Sequence, residues 1–458
     1  MNSDDGDIPA SGQGSAMPLD EAIALAVTLH RAGQLDKADT AYRQILAVVP
    51  DHPDVLHLTG LLRHHQGRPR EAAESIRAAI AREAGFADYH LNLGNVLLEC
   101  GEPTEAAEAY RQALALRPEF ADAWNNLGAL YRQLGDLEQA EQASRRAIEQ
   151  APGHVGAHNN LGMIHAARGD AAAATEFFCR AVVIDPRHAD GHRLLGLAWN
   201  ALGEREKAAQ AFADWLAVDP DNPEARYLHA AASGEQALAR ASDDYLEYTF
   251  DQFAGSFEYK LEGILNYCAP ALLETALASR LGDPGARLAV LDAGCGTGLC
   301  GPRLRPWASS LVGVDLSAGM LDEARRKGCY DQLEKAELGC WMAQRKRHFD
   351  LVVAADTLCY FGPLEGILGA AHGTLRPGGM LAFTLEAIDD DAEQPAHRVE
   401  ACGRFRHRPA YARDCLAALG FGDIVLQSAE LRLESGRPVH GLVVSARKSA
   451  ADIEGGHR

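Results

Sequence analysis

Two aspartates and three glycines carry the chemistry that this sequence offers. Asp292 closes an apolar run from Leu288 to Leu291, after which Gly294, Gly296 and Gly298 alternate. Glycine lets the backbone turn tightly and come close to a ligand, because no Cβ intervenes. A carboxylate at the mouth of such a turn repels phosphate and suits a cationic or hydroxyl-bearing ligand. Asp315 closes a second apolar run, Leu311 to Val314, 17 residues after Gly298. In a strand-helix-strand unit the two strand ends lie side by side, so both acids face one ligand. A carboxylate there can accept from both vicinal hydroxyls of a ribose. The plainer role for Asp315 is to cap the next helix, for which Ser317 is the better candidate.

Gly296, Gly298 and Gly301 also spell the Gly-x-Gly-x-x-Gly of a dinucleotide fold. There the first glycine follows the strand almost directly, whereas here Asp292 intervenes. A single match of that kind is a weak signal. The stretch from Val290 to Gly301 resembles the first motif of class I S-adenosylmethionine-dependent methyltransferases, and Asp315 resembles their second. That resemblance implies S-adenosyl-L-methionine as methyl donor and no metal. It implies cofactor contacts from Asp292, Gly294, Cys295, Gly296, Thr297 and Gly298. Asp315, Leu316 and Met320 would follow after the second strand, with Glu337 and Leu338 at the end of a third spanning Gln332 to Leu338. The family often sets an acid there against the adenine, and Glu337 matches it.

In the same family the loop after the fourth strand faces the transferable methyl. Asp356, Thr357 and Tyr360 are therefore the substrate-side candidates, with Asp356 as the catalytic one and His407 and Tyr411 behind it. For any one of them the plainer reading is a strand cap or a loop-shaping residue. The loop lacks the Asn/Asp-Pro-Pro-Tyr signature of amino-directed nucleic-acid enzymes. Residues 387–406 read as a loop or lid, Tyr411 to Leu419 as a helix, and Asp423 to Leu433 with Pro438 to Arg447 as an antiparallel pair. The implied fold is an α/β Rossmann-like class I methyltransferase domain with a mixed seven-stranded sheet. A helix near Thr249 to Phe257 would partly cover the cofactor, and another would run from Asn266 to Leu281.

The elements upstream obey a different rule. Gly33, Gly67, Gly101, Gly135, Gly169 and Gly203 are each 34 residues apart, as are Ala38, Ala72, Ala106, Ala140, Ala174 and Ala208. Gly60, Gly94, Gly128, Gly162 and Gly196 form a third register, in which Ala26 stands for the first unit. Pro50, Pro118, Pro152, Pro186 and Pro220 close most units. The period and spacing resemble the tetratricopeptide repeat, a helical hairpin that stacks into an all-α superhelix. Aromatics Tyr42, Tyr110, Phe178 and Phe212 fall at one position of the second helix and should fill the seam between units.

Asn92, Asn126 and Asn160 recur at one position of the first helix. Amides at that spacing can form a ladder along the concave face and hold a protein or peptide by its backbone. The alternative is that they bond within or between repeats and bind nothing.

Boundaries follow from these patterns. The sequence predicts a disordered start over 1–17, six repeats over 18–222, and a capping helix and linker over 223–244. The α/β domain should occupy 245–447 and a flexible tail 448–458. At 458 residues there is room for two or more cores, and a net charge of -20 argues against an electrostatic grip on nucleic acid or anionic membrane. The ten cysteines show no Cys-x-x-Cys pair, which suits reduced thiols in a cytoplasmic protein. Two functions fit: a methyltransferase whose repeats recruit a protein, peptide or carrier-bound substrate, or a repeat scaffold with a non-catalytic or cofactor-sensing domain.

Overall fold

A computed structural model describes residues 17–234, 238–258, 266–391, 393–400, 402–434 and 437–450. The expected disordered start, up to residue 16, and residues 451–458 of the expected tail lie outside these. The chain divides into two compact units, residues 1–164 and 165–458.

The first unit is a run of helical hairpins. Leu19–Arg31 pairs with Leu35–Val48, Pro53–His65 with Pro69–Arg82, Ala87–Glu99 with Pro103–Leu116, and Ala121–Gln133 with Leu137–Gln150. The helix Val155–Ala167 spans the unit boundary. Gly33, Gly67, Gly101 and Gly135 end the first helix of each pair with φ between +72° and +82°. A side chain is strained in that conformation, which is why glycine recurs at this turn.

The other glycine register has a steric cause. A Cβ on Gly60 would lie 2.6 Å from Ile76, and on Gly94 2.4 Å from the Tyr110 ring. On Gly128 it would lie 2.7 Å from Ser144 Oγ. Each glycine thus makes room for the residue sixteen positions later on the partner helix.

The second unit starts with helices of the same pattern, Ala171–Ile184, Ala189–Ala201 and Arg205–Val218, then Pro223–Ser233, which stops at Gly234 with φ +69°. The Asp243–Phe253 helix is capped by Ser242, and Ala269–Leu281 precedes the sheet. The latter helix begins later than the sequence suggested, with Pro270 in its first turn.

Among the described residues the sheet has nine strands. They are β1 Leu288–Ala293, β2 Ala308–Asp315, β3 Gln332–Lys335, β4 Phe349–Ala354, β5 Leu375–Ala387, β6 His397–Val399, β7 Phe405–His407, β8 Phe421–Glu434 and β9 Arg437–Lys448. The order β3-β2-β1-β4-β5 is parallel; β9 lies antiparallel to β5, and β8 antiparallel to β9. These seven strands are the mixed sheet that the motif order implied. The extra pair, β6 and β7, occupies the stretch expected to be a loop or lid and extends the end of β5 through Glu386 and Ala387.

Helices cover both faces. Leu338–Ala343, Glu365–Thr374 and Pro409–Ala418 bury their apolar sides against one face, and Ala269–Leu281 with Gly301–Leu304 against the other. No helix among the described residues is long and apolar enough to cross a membrane.

The steric glycines give a direct test. Gly94→Ala should destabilise the chain by about 1–3 kcal/mol through overpacking against Tyr110. Gly366→Ala, in a helix where an added Cβ meets nothing within 4 Å, should be neutral or mildly stabilising. Urea unfolding followed by circular dichroism distinguishes them; equal midpoints for the two variants would contradict the packing account.

Candidate active site

The two acids meet where the sheet puts them. β1 and β2 run parallel in register, with Asp292 opposite Gly313 and Ala293 opposite Val314, so Asp292 and Asp315 emerge at the same sheet edge. Both line one cavity of about 290 Å³. Gly294, Cys295, Gly296 and Thr297 form its lip, and Leu316, Met320, Glu337 and Leu338 line the neighbouring wall. The structure thus brings these residues, singled out from the sequence, around one cavity.

Local contacts explain why the loop has this composition. Gly294 has φ +73°, and a Cβ on it would lie 2.4 Å from Thr357 Oγ1. Thr357 in turn donates to the Ala293 carbonyl at 3.0 Å, tying the loop after β4 to the end of β1. Gly296 has φ +53°, with nothing within 4 Å of an added Cβ. Its backbone N–H donates to Asp315 at 2.9 Å, as does that of Ser317. Ser317 also caps the following helix by accepting from the Met320 N–H, so Asp315 is left to face the cavity.

Gly298 plays another part. It does not line the cavity; its bare Cα makes room for Ala324 and for the ring of Tyr330. Gly301 and Gly313 open space for the same ring. The Tyr330 hydroxyl donates to Asp292 at 2.6 Å. Tyr330 was not singled out from the sequence, and the one clue is that three glycines converge on it.

The electrostatics follow from burial. Asp292 is 1% exposed. Burial pushes its carboxyl up to about 7, the Asp315 charge adds to the rise, and the Tyr330 hydroxyl opposes it. Asp315 is also pushed up by burial, against the backbone donors of Ser317 and Gly296. Two desolvated acids side by side are a site for a group that is positively charged or rich in donors.

The far wall differs from what the sequence suggested. Asp356 reaches the cavity, but it is not a free base. Its backbone takes φ +49°. One carboxylate oxygen accepts from Thr384 at 3.0 Å and the other from Arg432 at 2.6 Å. Arg432 also pairs with Glu386, which holds Arg404 at 2.6 Å; Arg404 reaches on to Glu434. Arg404 and Arg432 both line the cavity. Neither was visible as a site residue, since Arg404 lies just before β7 and Arg432 in β8, both outside any motif. Tyr360 lines the cavity as expected, and Tyr267 joins it.

His407 and Tyr411 lie elsewhere. His407 is buried against the Gly362 carbonyl at 2.9 Å, and burial lowers its pKa to about 4. Tyr411 donates to Glu365 at 3.0 Å. Glu337 is occupied as well: it caps the Leu338–Ala343 helix through the Gly339 and Cys340 N–H groups and faces Arg240 at 3.5 Å.

Arg240 belongs to the linker that precedes the domain. Residues 239–241 pair with the loop after β4 through Gly362 N–H to the Ala239 carbonyl at 2.8 Å and Ala241 N–H to the Tyr360 carbonyl at 2.9 Å. With Leu246, Phe250 and Phe257, Arg240 completes the cavity wall from outside the sheet.

The repeat asparagines bond from unit to unit. Asn92 pairs with His57 at 2.9 Å, Asn126 donates to Asn95 at 2.9 Å, and Asn160 donates to Asn125 at 2.9 Å. Their described hydrogen bonds run to other residues of the array, the Asn125 backbone carbonyl included, which is the alternative of bonding between repeats.

A methyltransferase-domain family model matches residues 290–379, and a tetratricopeptide-repeat model matches five overlapping segments between residues 23 and 223. Human methyltransferase-like protein 27 is 30% identical over 206 residues, covering 43% of this chain and 81% of that protein. Malonyl-[acyl-carrier protein] O-methyltransferase of Enterobacter lignolyticus is 38% identical over 115 residues, 25% of this chain and 45% of that protein. Trans-aconitate 2-methyltransferase of Paracidovorax citrulli is 32% identical over 111 residues, 24% of this chain and 42% of that protein. The chain therefore spans less than half the length of the latter two. It belongs to the class I methyltransferases, and carries a tetratricopeptide array ahead of the methyltransferase domain.

The raised Asp292 carboxyl sets a pH dependence. A folded pKa above the unfolded value of about 4 contributes stability below the unfolded pKa that is lost as pH rises through the folded value, here about 7. Asp292→Asn should therefore lose less stability than the parent chain between these limits. Thermal unfolding of the full chain across that window, without ligand, checks the difference in slope; parallel curves would contradict it.

Proposed function

We propose that the cavity binds S-adenosyl-L-methionine and that the domain transfers its methyl group to an acceptor recruited by the repeat array. The observation that supports this most directly is the pair of acids, buried Asp292 and half-buried Asp315, facing one cavity across a glycine turn. The residues fit the group. Asp315, already aligned by two backbone N–H groups, keeps lone pairs for vicinal hydroxyls. Asp292, held by Tyr330, offers its charge to an ammonium or sulfonium. Leu316, Met320 and Leu338 supply apolar walls for a flat base. Because Glu337 already caps a helix, its part toward the base is at most shared with the Leu338 backbone.

When bound, this donor supplies a methyl group already activated for displacement. The protein's task is then alignment and exclusion of water. Thr357 fixes the loop after β4 against Gly294, and Tyr360 and Phe250 meet edge to face at 5.7 Å between ring centroids, covering the cavity. Asp356 serves this wall by holding Arg432 rather than by taking a proton.

The array would act as the recruiting module, for a protein, peptide or carrier-bound substrate. Asn92 and Asn126 are half-buried, and a carbonyl oxygen with two lone pairs can accept from a peptide backbone while the amide group bonds between repeats; the Asn126 oxygen already accepts once, from Asn125, and Asn160 is buried.

Two measurements test these readings. Calorimetry with S-adenosyl-L-methionine should show binding that Asp315→Ala weakens by at least about tenfold, the size of a lost charged hydrogen bond. An absence of heat would instead favour an adaptor with a silent domain. Replacing Asn92, Asn126 and Asn160 together by alanine should reduce methyl transfer to a recruited substrate while leaving donor affinity unchanged. Unaltered transfer with intact helicity would remove the ladder from recruitment.

A further inference from the structure

The cavity is polarised along the sheet. Asp292 and Asp315 mark the wall at the ends of β1 and β2, whereas Arg404, Arg432 and the carboxylate of Asp356 mark the wall beyond β4 and β5. Building on the donor reading above, we propose that the methyl acceptor is a carboxylate, seated against the guanidinium of Arg404 and converted there to a methyl ester.

The network behind this wall leaves one arginine edge unused. Glu386 and Glu434 engage Nε and one Nη of Arg404, and the other Nη has no partner among the described residues. Glu386 is 1% exposed and lies behind the arginines, so it holds them without presenting its own charge to the cavity. Arg432 is spanned by Asp356 and Glu386. The surface that remains is two guanidiniums against one engaged carboxylate. A planar guanidinium matches a carboxylate's two oxygens and repels an ammonium.

The lack of an unengaged proton acceptor among the described residues of this wall points the same way. No histidine is among the described residues lining the cavity. Burial pushes Tyr267, Tyr360 and Cys359 up, so all three stay protonated at neutral pH. Burial pushes the Asp356 carboxyl up against the pull of Arg432, but both of its oxygens are engaged, one by Arg432 and one by Thr384. An alcohol would need a base that this wall does not offer, whereas a carboxylate is ionised at neutral pH and needs none. The step balances without a proton: one carboxylate oxygen forms a bond to the methyl carbon, the carbon–sulfur bond of the sulfonium breaks, and its electron pair stays on sulfur. The products are a neutral methyl ester and a thioether.

The carboxylate can belong to a free small molecule or to a peptide, and the probes separate these sources. The full chain is first titrated with S-adenosylhomocysteine, then in its presence with phenylacetate against phenylacetamide. An acetylated aspartyl peptide against its asparaginyl counterpart follows. At least one carboxylate should bind about tenfold tighter than its amide, as expected for a charged hydrogen bond. Arg404→Ala should abolish that preference while leaving nucleoside affinity intact. Glu434→Ala, which frees a second nitrogen of Arg404, should strengthen it, and this variant keeps the test decisive if Arg404→Ala does not fold. With labelled donor, the preferred probe should yield a product that releases methanol in alkali. Equal binding of acid and amide with the nucleoside still bound overturns the carboxylate assignment. Loss of preference in both variants, or a label stable to alkali, overturns it too. Failure of the nucleoside itself to bind overturns the donor reading instead.

Discussion

Two carboxylates held close together out of water are the constraint on which the second unit depends. Each costs desolvation, and each raises the cost of the other. The protein answers with directed donors: the Tyr330 hydroxyl to Asp292, and the backbone of Gly296 and Ser317 to Asp315. Those donors impose the glycines. Gly296 must turn its N–H inward, while Gly298, Gly301 and Gly313 must leave room for the Tyr330 ring. One patch of destabilised charge thus accounts for the composition of a whole turn.

Sheet order converts this local arrangement into a cavity with two ends. Crossing from β2 through β1 and β4 to β5, the residues at the strand ends change from solvent-poor acids to an acid–arginine network. The network is drawn from distant places: Asp356 after β4, Glu386 in β5, Arg404 before β7 and Arg432 in β8. Buried ion pairs are weak contributors to stability but strong in direction, since leaving either partner unpaired is costly. Their value here is orientation. The β6–β7 hairpin and the linker around Arg240 complete the wall, so the domain's site extends beyond the strands that define its family.

The repeat array works by a different economy. Its hairpins contain no charged core, and their spacing is set by glycine against a larger neighbour, Gly60 with Ile76, Gly94 with Tyr110, Gly196 with Phe212. Asparagines bridge successive units by hydrogen bonds, which fixes the stacking of one hairpin on the next.

Much of this was legible in the chain. A helical repeat announces itself because each hairpin makes the same local demands, so Gly33 and its successors recur at a fixed interval. The strand-acid-glycine pattern is also local, and Asp292, Asp315 and Ser317 stand where their neighbours implied. The glycines of the turn were only partly read, since Gly294 and Gly296 border the cavity whereas Gly298 serves Tyr330. Glu337 has the expected position but spends its oxygens on a helix cap. Residues 387–406 looked irregular because short strands such as β6 and β7 carry too little pattern to stand out.

What the sequence by itself determined is the set of elements and the spacing of the acids, because propensity, periodicity and turn chemistry act over a few residues. What only the tertiary structure decided is which polar groups are partnered and which are left facing the cavity. Asp356 and Arg432 are 76 residues apart, and no local rule links them. Their charge states and free edges are set by the atoms that close packing brings beside them, after water has been removed.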